Sequence, residues 1–243
     1  METGTTAIDG DPLTASAVAV TGRSGGALTL RDCARAFFRF RSPRVLAAFL
    51  VLFVAARVAV GEWSWLDLAA AATLIALQPF TEWLIHVSLL HSKPRKLGPW
   101  TIDLPTARMH RWHHREPTLL EAVLIPGSLI AGFLVPIGLV MWLLSWPWAL
   151  LGASHLGVWL TLLIVSVLLT ATYEWSHFLI HTPYRPRTRY YRTIWRSHRL
   201  HHFKNEHYWF GVSSDAADRV LGTNPDHRTV PKSETVKTLG VRG

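Results

Sequence analysis

The sequence predicts an all-α integral membrane protein, with four transmembrane helices topped by a cytoplasmic helical cap rich in histidine. Three observations carry this expectation. Apolar residues come in long uncharged blocks, and the basic residues fall to one side of those blocks. The pattern H-x-x-H-H also occurs twice, as HRWHH at 110–114 and HRLHH at 198–202.

A helix crosses a hydrocarbon core about 30 Å thick with about 20 apolar residues. Ala122–Trp148 contains no Asp, Glu, Lys or Arg, and neither does Ala149–Tyr173. Leu66–Leu90 also has the required length. Val45–Gly61 is shorter and carries Arg57 near its far end, where a long side chain is expected to snorkel to the interface. These are the four expected spans.

Charge sets the orientation. None of the 25 Lys and Arg lies in the connections 62–65 and 145–157. Arg31, Arg35, Arg39, Arg41 and Arg44 precede the first span, and Lys93, Arg95, Lys96, Arg108, Arg111 and Arg115 fill the central connection. A dense basic set from Arg185 to Lys204 follows the fourth span. By the positive-inside rule both termini and the central connection are cytoplasmic, and Trp63, Trp65, Trp146 and Trp148 mark the opposite interface. The formal charge of +9 therefore belongs to one face. Topology and anionic headgroups account for it, with an acidic redox partner as the alternative. No nucleic-acid motif accompanies the basic residues. The single Cys33 excludes an intramolecular disulfide and any cysteine-built zinc or iron–sulfur site.

Residues 1–30 lack the basic start and apolar run of a secretory signal. Residues 1–40 are expected as a disordered, increasingly basic lead-in, 41–223 as the membrane-embedded domain, and 224–243 as a loosely ordered tail.

With 13 histidines in 243 residues, roughly 0.04 copies of H-x-x-H-H arise by chance. The two copies sit inside a longer repetition. EWLIHVSLLH (82–91) precedes the first triplet, and EWSHFLIH (174–181) precedes the second. Each half therefore reads as two spans, a Glu-Trp, a histidine pair, a gap and a triplet, the pattern of a duplicated helical hairpin. His177 and His181, four apart, share a helix face. His86 and His91, five apart, require a local widening or a helix end between them.

Ten histidines thus converge on one membrane edge: His86, His91, His110, His113, His114, His177, His181, His198, His201 and His202. Packing that many imidazoles without a partner costs desolvation and, on protonation, repulsion, and a metal removes both problems. One metal takes at most about six ligands, so ten suit a dimetal site with about five each. Imidazole suits zinc, copper, iron and nickel alike. Structural zinc closes with four ligands and catalytic zinc usually with three from protein. Redox iron uses the count better, with zinc as a substitute in purified protein. Glu82 and Glu174 are candidates to orient a ligand histidine through its other ring nitrogen, plain interfacial placement being the alternative. His207 is a further candidate for that supporting role. His155, at the opposite interface, and His227, in the tail, are read as non-ligands. Arg111 and Arg199 are expected to contact headgroups or carboxylates.

HVSLLH (86–91), HRWHH (110–114), HFLIH (177–181) and HRLHH (198–202) stand in the order of the HxxxxH, HxxHH, HxxxH and HxxHH boxes of the fatty acid hydroxylase/sterol desaturase superfamily. The chain resembles these membrane non-haem di-iron enzymes over about residues 80–225. HHREPTLLEAVLIPG (113–127) and HHFKNEHYWFGVSS (201–214) resemble segments of the fatty acid 2-hydroxylases in particular. The resemblance implies two iron ions on the ten histidines, with no catalytic residue apart from the ligands. O2 would be co-substrate for hydroxylation of a lipid C–H bond, a fatty acyl chain near its carboxyl end being the first choice. Loss of a second hydrogen would give desaturation instead, and a sterol or carotenoid hydroxylase or desaturase is the alternative within the superfamily. Eukaryotic 2-hydroxylases carry an N-terminal cytochrome b5 domain, for which residues 1–40 are too short, and no flavin or nicotinamide fingerprint appears. A separate ferredoxin- or cytochrome b5-like donor is therefore expected on the cytoplasmic face. The membrane would be the inner membrane of a bacterium or the endoplasmic reticulum of a eukaryote.

A histidine-rich metal transporter or metal-binding membrane protein is the reading from another class. Transport calls for ionisable groups near the midplane, whereas the third and fourth spans carry no charge there. A haem carrier would use two histidines per haem and leave most of these idle. Pro126, Gly127, Gly132 and Pro136 are expected to bend the third span and shape a substrate tunnel.

Overall fold

Thr29 starts the first helix by closing a capping box. Its hydroxyl accepts from the Asp32 N–H at 3.2 Å, and the Asp32 carboxylate accepts from the Thr29 N–H at 3.2 Å. The computed structural model describes residues 28–241. Helix α1 (Leu30–Phe37) buries Cys33, Ala36 and Phe37 against Phe178 and Leu179, and Phe37 meets Trp175 edge-on at 5.3 Å. The disordered lead-in expected over 1–40 is thus corrected from residue 28 onward, because a good cap and one apolar face give this segment something to dock on. Residues 1–27 of that expectation lie outside the described residues.

The chain continues through α2 (Arg41–Val60), α3 (Trp65–Ile85), a π-helical turn (His86–Leu90), the antiparallel strands β1 (Arg95–Leu97) and β2 (Trp100–Ile102), and α4 (Pro105–Arg115). Then come α5 (Leu120–Val123), α6 (Gly127–Leu150), α7 (His155–His181), α8 (Arg189–Phe203) and α9 (Ala216–Val220). The architecture is mostly helical rather than all-α. The small hairpin turns at Gly98, whose φ of +60° suits a residue without Cβ.

Four stretches are long and apolar enough to cross a membrane: Arg41–Val60, Trp65–Leu90, Leu120–Leu150 and His155–His181, with mean hydropathy from 1.4 to 2.3. The fourth begins at His155 and not at Ala149, because the chain turns at Gly152 and Ser154 caps the new helix by accepting from the Gly157 N–H. Helix α7 packs against α2, α3 and α6 and is the most buried of the four. Leucines and valines such as Val51, Leu68, Val135 and Leu143 point outward, an apolar girdle of the kind lipid covers. Pro136 and Pro147 lie inside α6, where a proline ring cannot donate to the preceding turn.

Arg57 does not snorkel. It is 1% exposed and donates to Asp67 at 2.9 Å, to Thr161 at 3.0 Å and to the Gly61 carbonyl. Asp67 is available as its partner because the carboxylate already caps α3 at Ser64. Burial is therefore compensated by an ion pair and hydrogen bonds.

The tail expected to be loosely ordered from residue 224 is instead packed. Val230, Val236 and Leu239 are buried, the Ser233 N–H donates to the Lys204 carbonyl at 2.8 Å, and Asn205 donates to the Pro231 carbonyl at 3.2 Å. Three spaced apolar side chains and these backbone bonds hold it across the end of α8.

Candidate metal centre

At the end of α3 the backbone shifts register. The His91 N–H reaches the His86 carbonyl, five residues back, at 3.1 Å. This π-turn is the widening that the five-residue spacing requires, and it brings the two rings to 4.9 Å. In α7 the four-residue spacing needs no such device, and His177 and His181 lie 5.0 Å apart. Helices α4 and α8 carry the two triplets beside these pairs.

All ten predicted histidines are brought together, in two groups. His86, His91, His110, His114 and His201 form one, and His113, His177, His181, His198 and His202 form the other; within each, the candidate ligand atoms lie within 4.8 Å of one another. The groups are adjacent, with the His114 and His202 rings 4.2 Å apart. Each half of the chain supplies four histidines to its own group and sends the middle histidine of its triplet, His113 or His201, to the other.

The side-chain chemistry fits metal ions. A carbonyl can only accept, so His86 Nδ1 donates to Phe210 O at 2.6 Å, His114 Nδ1 to Val236 O at 2.9 Å and His201 Nδ1 to Tyr208 O at 2.8 Å. In the neutral rings this leaves three Nε2 lone pairs turned inward. His114 and His201 then oppose each other Nε2 to Nε2 at 3.2 Å with no proton between them. In the second group His177 faces His113, and His202 faces His198, each pair at 3.0 Å between Nε2 atoms, while the Nδ1 atoms of His113, His198 and His202 are buried without a hydrogen-bond partner among the described residues. Burial and the neighbouring imidazoles hold His91, His110, His113, His198, His201 and His202 well below the ordinary histidine range, and burial places His114 at about 3. They are neutral at pH 7, the form that ligates.

The glutamates do not touch the histidines. Glu82 accepts from the Ser213 N–H at 2.9 Å, the Val212 N–H and the Ser213 hydroxyl, and so braces the loop whose Phe210 carbonyl holds His86. Glu174 accepts from Ser42 and from the Ile125 N–H at 3.1 Å, tying α2 to the joint before α6. Neither carboxylate is bonded to a ring nitrogen, because each is taken up by backbone N–H and serine hydroxyl donors, and in His86 the Phe210 carbonyl occupies Nδ1. His207 is also outside the groups, largely exposed and 3.5 Å from Glu206. His155 stacks between Trp142 and Trp146 at 4.0 and 4.4 Å, and His227 sits beside Asp226, so neither joins the groups. Arg111 grips Asp103 with two bonds of 2.7 and 2.6 Å, whereas Arg199 lies over the Trp195 and Phe203 rings.

Sequence reasoning missed the loop that sets the histidines. The buried Asp218 accepts from the Phe210 N–H at 3.0 Å and the Gly211 N–H at 2.7 Å. A Cβ at Gly211 would lie 2.0 Å from the Ser214 carbonyl oxygen, so only glycine fits. Burial raises the Asp218 carboxyl above its usual range, against these hydrogen bonds. Carbonyls have no side-chain signature; the glycine within YWFGVSS was the available signal.

A family model described as fatty acid hydroxylase matches residues 71–223. A fatty acid 2-hydroxylase of Macaca fascicularis is 27% identical over 168 residues, 68% of this chain and 40% of that protein. A dihydroceramide fatty acyl 2-hydroxylase, FAH2, of Arabidopsis thaliana is 24% identical over 154 residues, 62% of this chain and 58% of that protein. The chain thus spans less than two thirds of either relative. No solved structure matches it. With both triplets and both histidine pairs inside the matched region, the chain belongs to the fatty acid hydroxylase family.

Proposed function

We propose that this chain is a membrane-bound lipid hydroxylase that uses two iron ions, O2 and external electrons to hydroxylate a C–H bond of a fatty acyl chain. The observation that carries the reading is the pair of five-histidine groups, buried and neutral, in a chain of this family. Iron held by the ten histidines would supply the redox chemistry that activates O2. The chain's own contribution is geometric. Phe210, Tyr208 and Val236 carbonyls fix three rings with Nε2 inward, and burial of His86, His113, His114, His198, His201 and His202 keeps bulk water from the centre.

The groups sit where α3 and α7 leave the apolar girdle. That depth suits a substrate whose tail lies among lipids and whose reacting carbon is near a polar head. Hydroxylation is favoured over desaturation by the relatives, whose names specify 2-hydroxylation of fatty acids and of dihydroceramide acyl chains. The basic connections at the same end support a cytoplasmic orientation and a separate, acidic electron donor. Zinc is expected to occupy the same ligands when iron is scarce. A sterol or carotenoid substrate would need a broad cavity for a rigid ring system, and metal transport would need a polar path through the midplane.

The test is lipid mass spectrometry on a host expressing the protein beside its His201→Ala/His202→Ala variant. A lipid one oxygen heavier, absent from the variant, is the expected result. A product two hydrogens lighter would replace the reading with desaturation.

A further inference from the structure

The tail lies beyond the region matched by the family model, yet it reaches into the centre. His114 Nδ1 donates to the Val236 carbonyl at 2.9 Å across 122 residues of chain, and both partners are buried. Three ties keep that carbonyl in place. The Thr235 hydroxyl donates to the buried Glu206 carboxylate, the Ser233 N–H donates to Lys204 O at 2.8 Å, and the Lys204 ammonium donates to the His227 carbonyl. Lys204 and Glu206 directly follow the helix that bears His201 and His202, so the tail is strapped to one triplet while it positions a histidine of the other. In the second group, by contrast, the buried Nδ1 atoms of His113, His198 and His202 have no hydrogen-bond partner among the described residues.

We propose that residues 224–241 form a strap whose Val236 carbonyl sets the tautomer and aim of His114, and so sets the metal affinity of the group containing His86, His91, His110, His114 and His201. The inference rests on the reading of both groups as metal sites. Val236 and Thr235 are positioning residues, acting through His114. A backbone partner on a ligand histidine commonly contributes a 10- to 100-fold gain in metal affinity, and the strap contributes on that scale to one group only.

The experiment loads the full-length protein in detergent with zinc or iron. It is then dialysed against a graded chelator, and retained metal per chain is counted by mass spectrometry. Wild type is compared with Val236→Asp, which puts a charge at a buried position and lifts the strap, with Thr235→Val, and with Val236→Ile as the conservative control. The expected result is biphasic. One metal leaves Val236→Asp at 10- to 100-fold lower chelator and the other at the wild-type concentration, Thr235→Val shifts the same phase in the same direction, and Val236→Ile matches wild type. Wild-type retention of both metals in a folded Val236→Asp, or equal loss of both, would overturn the proposal. If Val236→Asp does not fold, an unshifted Thr235→Val overturns it. A wild type that binds no metal at all counts instead against the two groups as metal sites.

Discussion

His114 and His201 face each other Nε2 to Nε2 at 3.2 Å while each gives its single ring proton, on Nδ1, to a backbone carbonyl, that of Val236 and of Tyr208 respectively. Two lone pairs in contact repel unless a cation lies between them. Metal removal should therefore lower stability. A ligand at 1,000 times its Kd adds about 4 kcal/mol, so the thermal midpoint of metal-free protein is expected to fall by many degrees and to recover on re-addition of zinc or iron. Equal midpoints with and without metal would contradict a pre-set ligand group.

Acid should act on the metal-free protein through the same residues. The folded pKa of His114, about 3, lies below its ordinary value of 6.5. The unfolded chain then binds more protons across that interval, so stability is full above about 6.5 and is lost as pH falls toward 3. His110, His113, His198, His201 and His202 shift in the same direction. Midpoints measured at pH 7.5 and 5.5 should show the decline, and a midpoint that rises in acid would refute it.

Glu82→Ala removes the acceptor of three buried donors on the loop 212–213. Each buried donor left unpaired costs about 1–3 kcal/mol. The loop carries the Phe210 carbonyl, so lost stability and lost metal should appear together, whereas Glu82→Gln keeps one accepting oxygen and a larger share of both. Circular dichroism melts and metal analysis on the three proteins decide the matter.

Gly211→Ala places a methyl against the Ser214 carbonyl, where no flexible side chain can yield. The loop must open, and a loss of roughly 2–4 kcal/mol is expected from backbone rearrangement and broken bonds to Asp218. A variant with wild-type midpoint and metal content would show that the loop does not set the histidines.

At the other end of the bundle, Arg57→Met leaves Asp67 buried and unpaired, a change worth about 3–5 kcal/mol. Metal content should be unchanged in the folded fraction, because the pair joins the last turn of α2 to the first turn of α3, at the opposite ends of these helices from the two histidine groups. The double variant Arg57→Met/Asp67→Leu is expected to recover much of the loss. A double variant as unstable as the single would argue that Arg57 acts through Thr161 or Gly61 instead.

Much of the plan was legible because its causes are local or periodic. Uncharged runs specify helices in an apolar girdle, and the five-residue gap between His86 and His91 specified a break in α-helical register before any π-turn was visible. Convergence of all ten histidines followed from placing both pairs at the same ends of their spans. The rest depended on partners distant in sequence. Arg57 reads as an interfacial cation until Asp67 and Thr161 close around it. The tail reads as loose because Val230, Val236 and Leu239 are too sparse to suggest burial without the surface they cover. The carbonyls of Phe210, Tyr208 and Val236 were illegible in principle, since every residue has one.

The exchange of His113 and His201 bears on the order in which the protein can be finished. Synthesis delivers His86, His91, His110 and His114 first, but their fifth companion emerges 87 residues after His114, and the carbonyl that aims His114 emerges 122 residues after it. Both groups therefore gain their last histidine from the same triplet, the earlier one with His201 and the later one with His202, but the earlier one still lacks the Val236 carbonyl that aims His114. A nascent or prematurely stopped chain holds four of the five histidines of the earlier group, and metal arriving early meets an unfinished site.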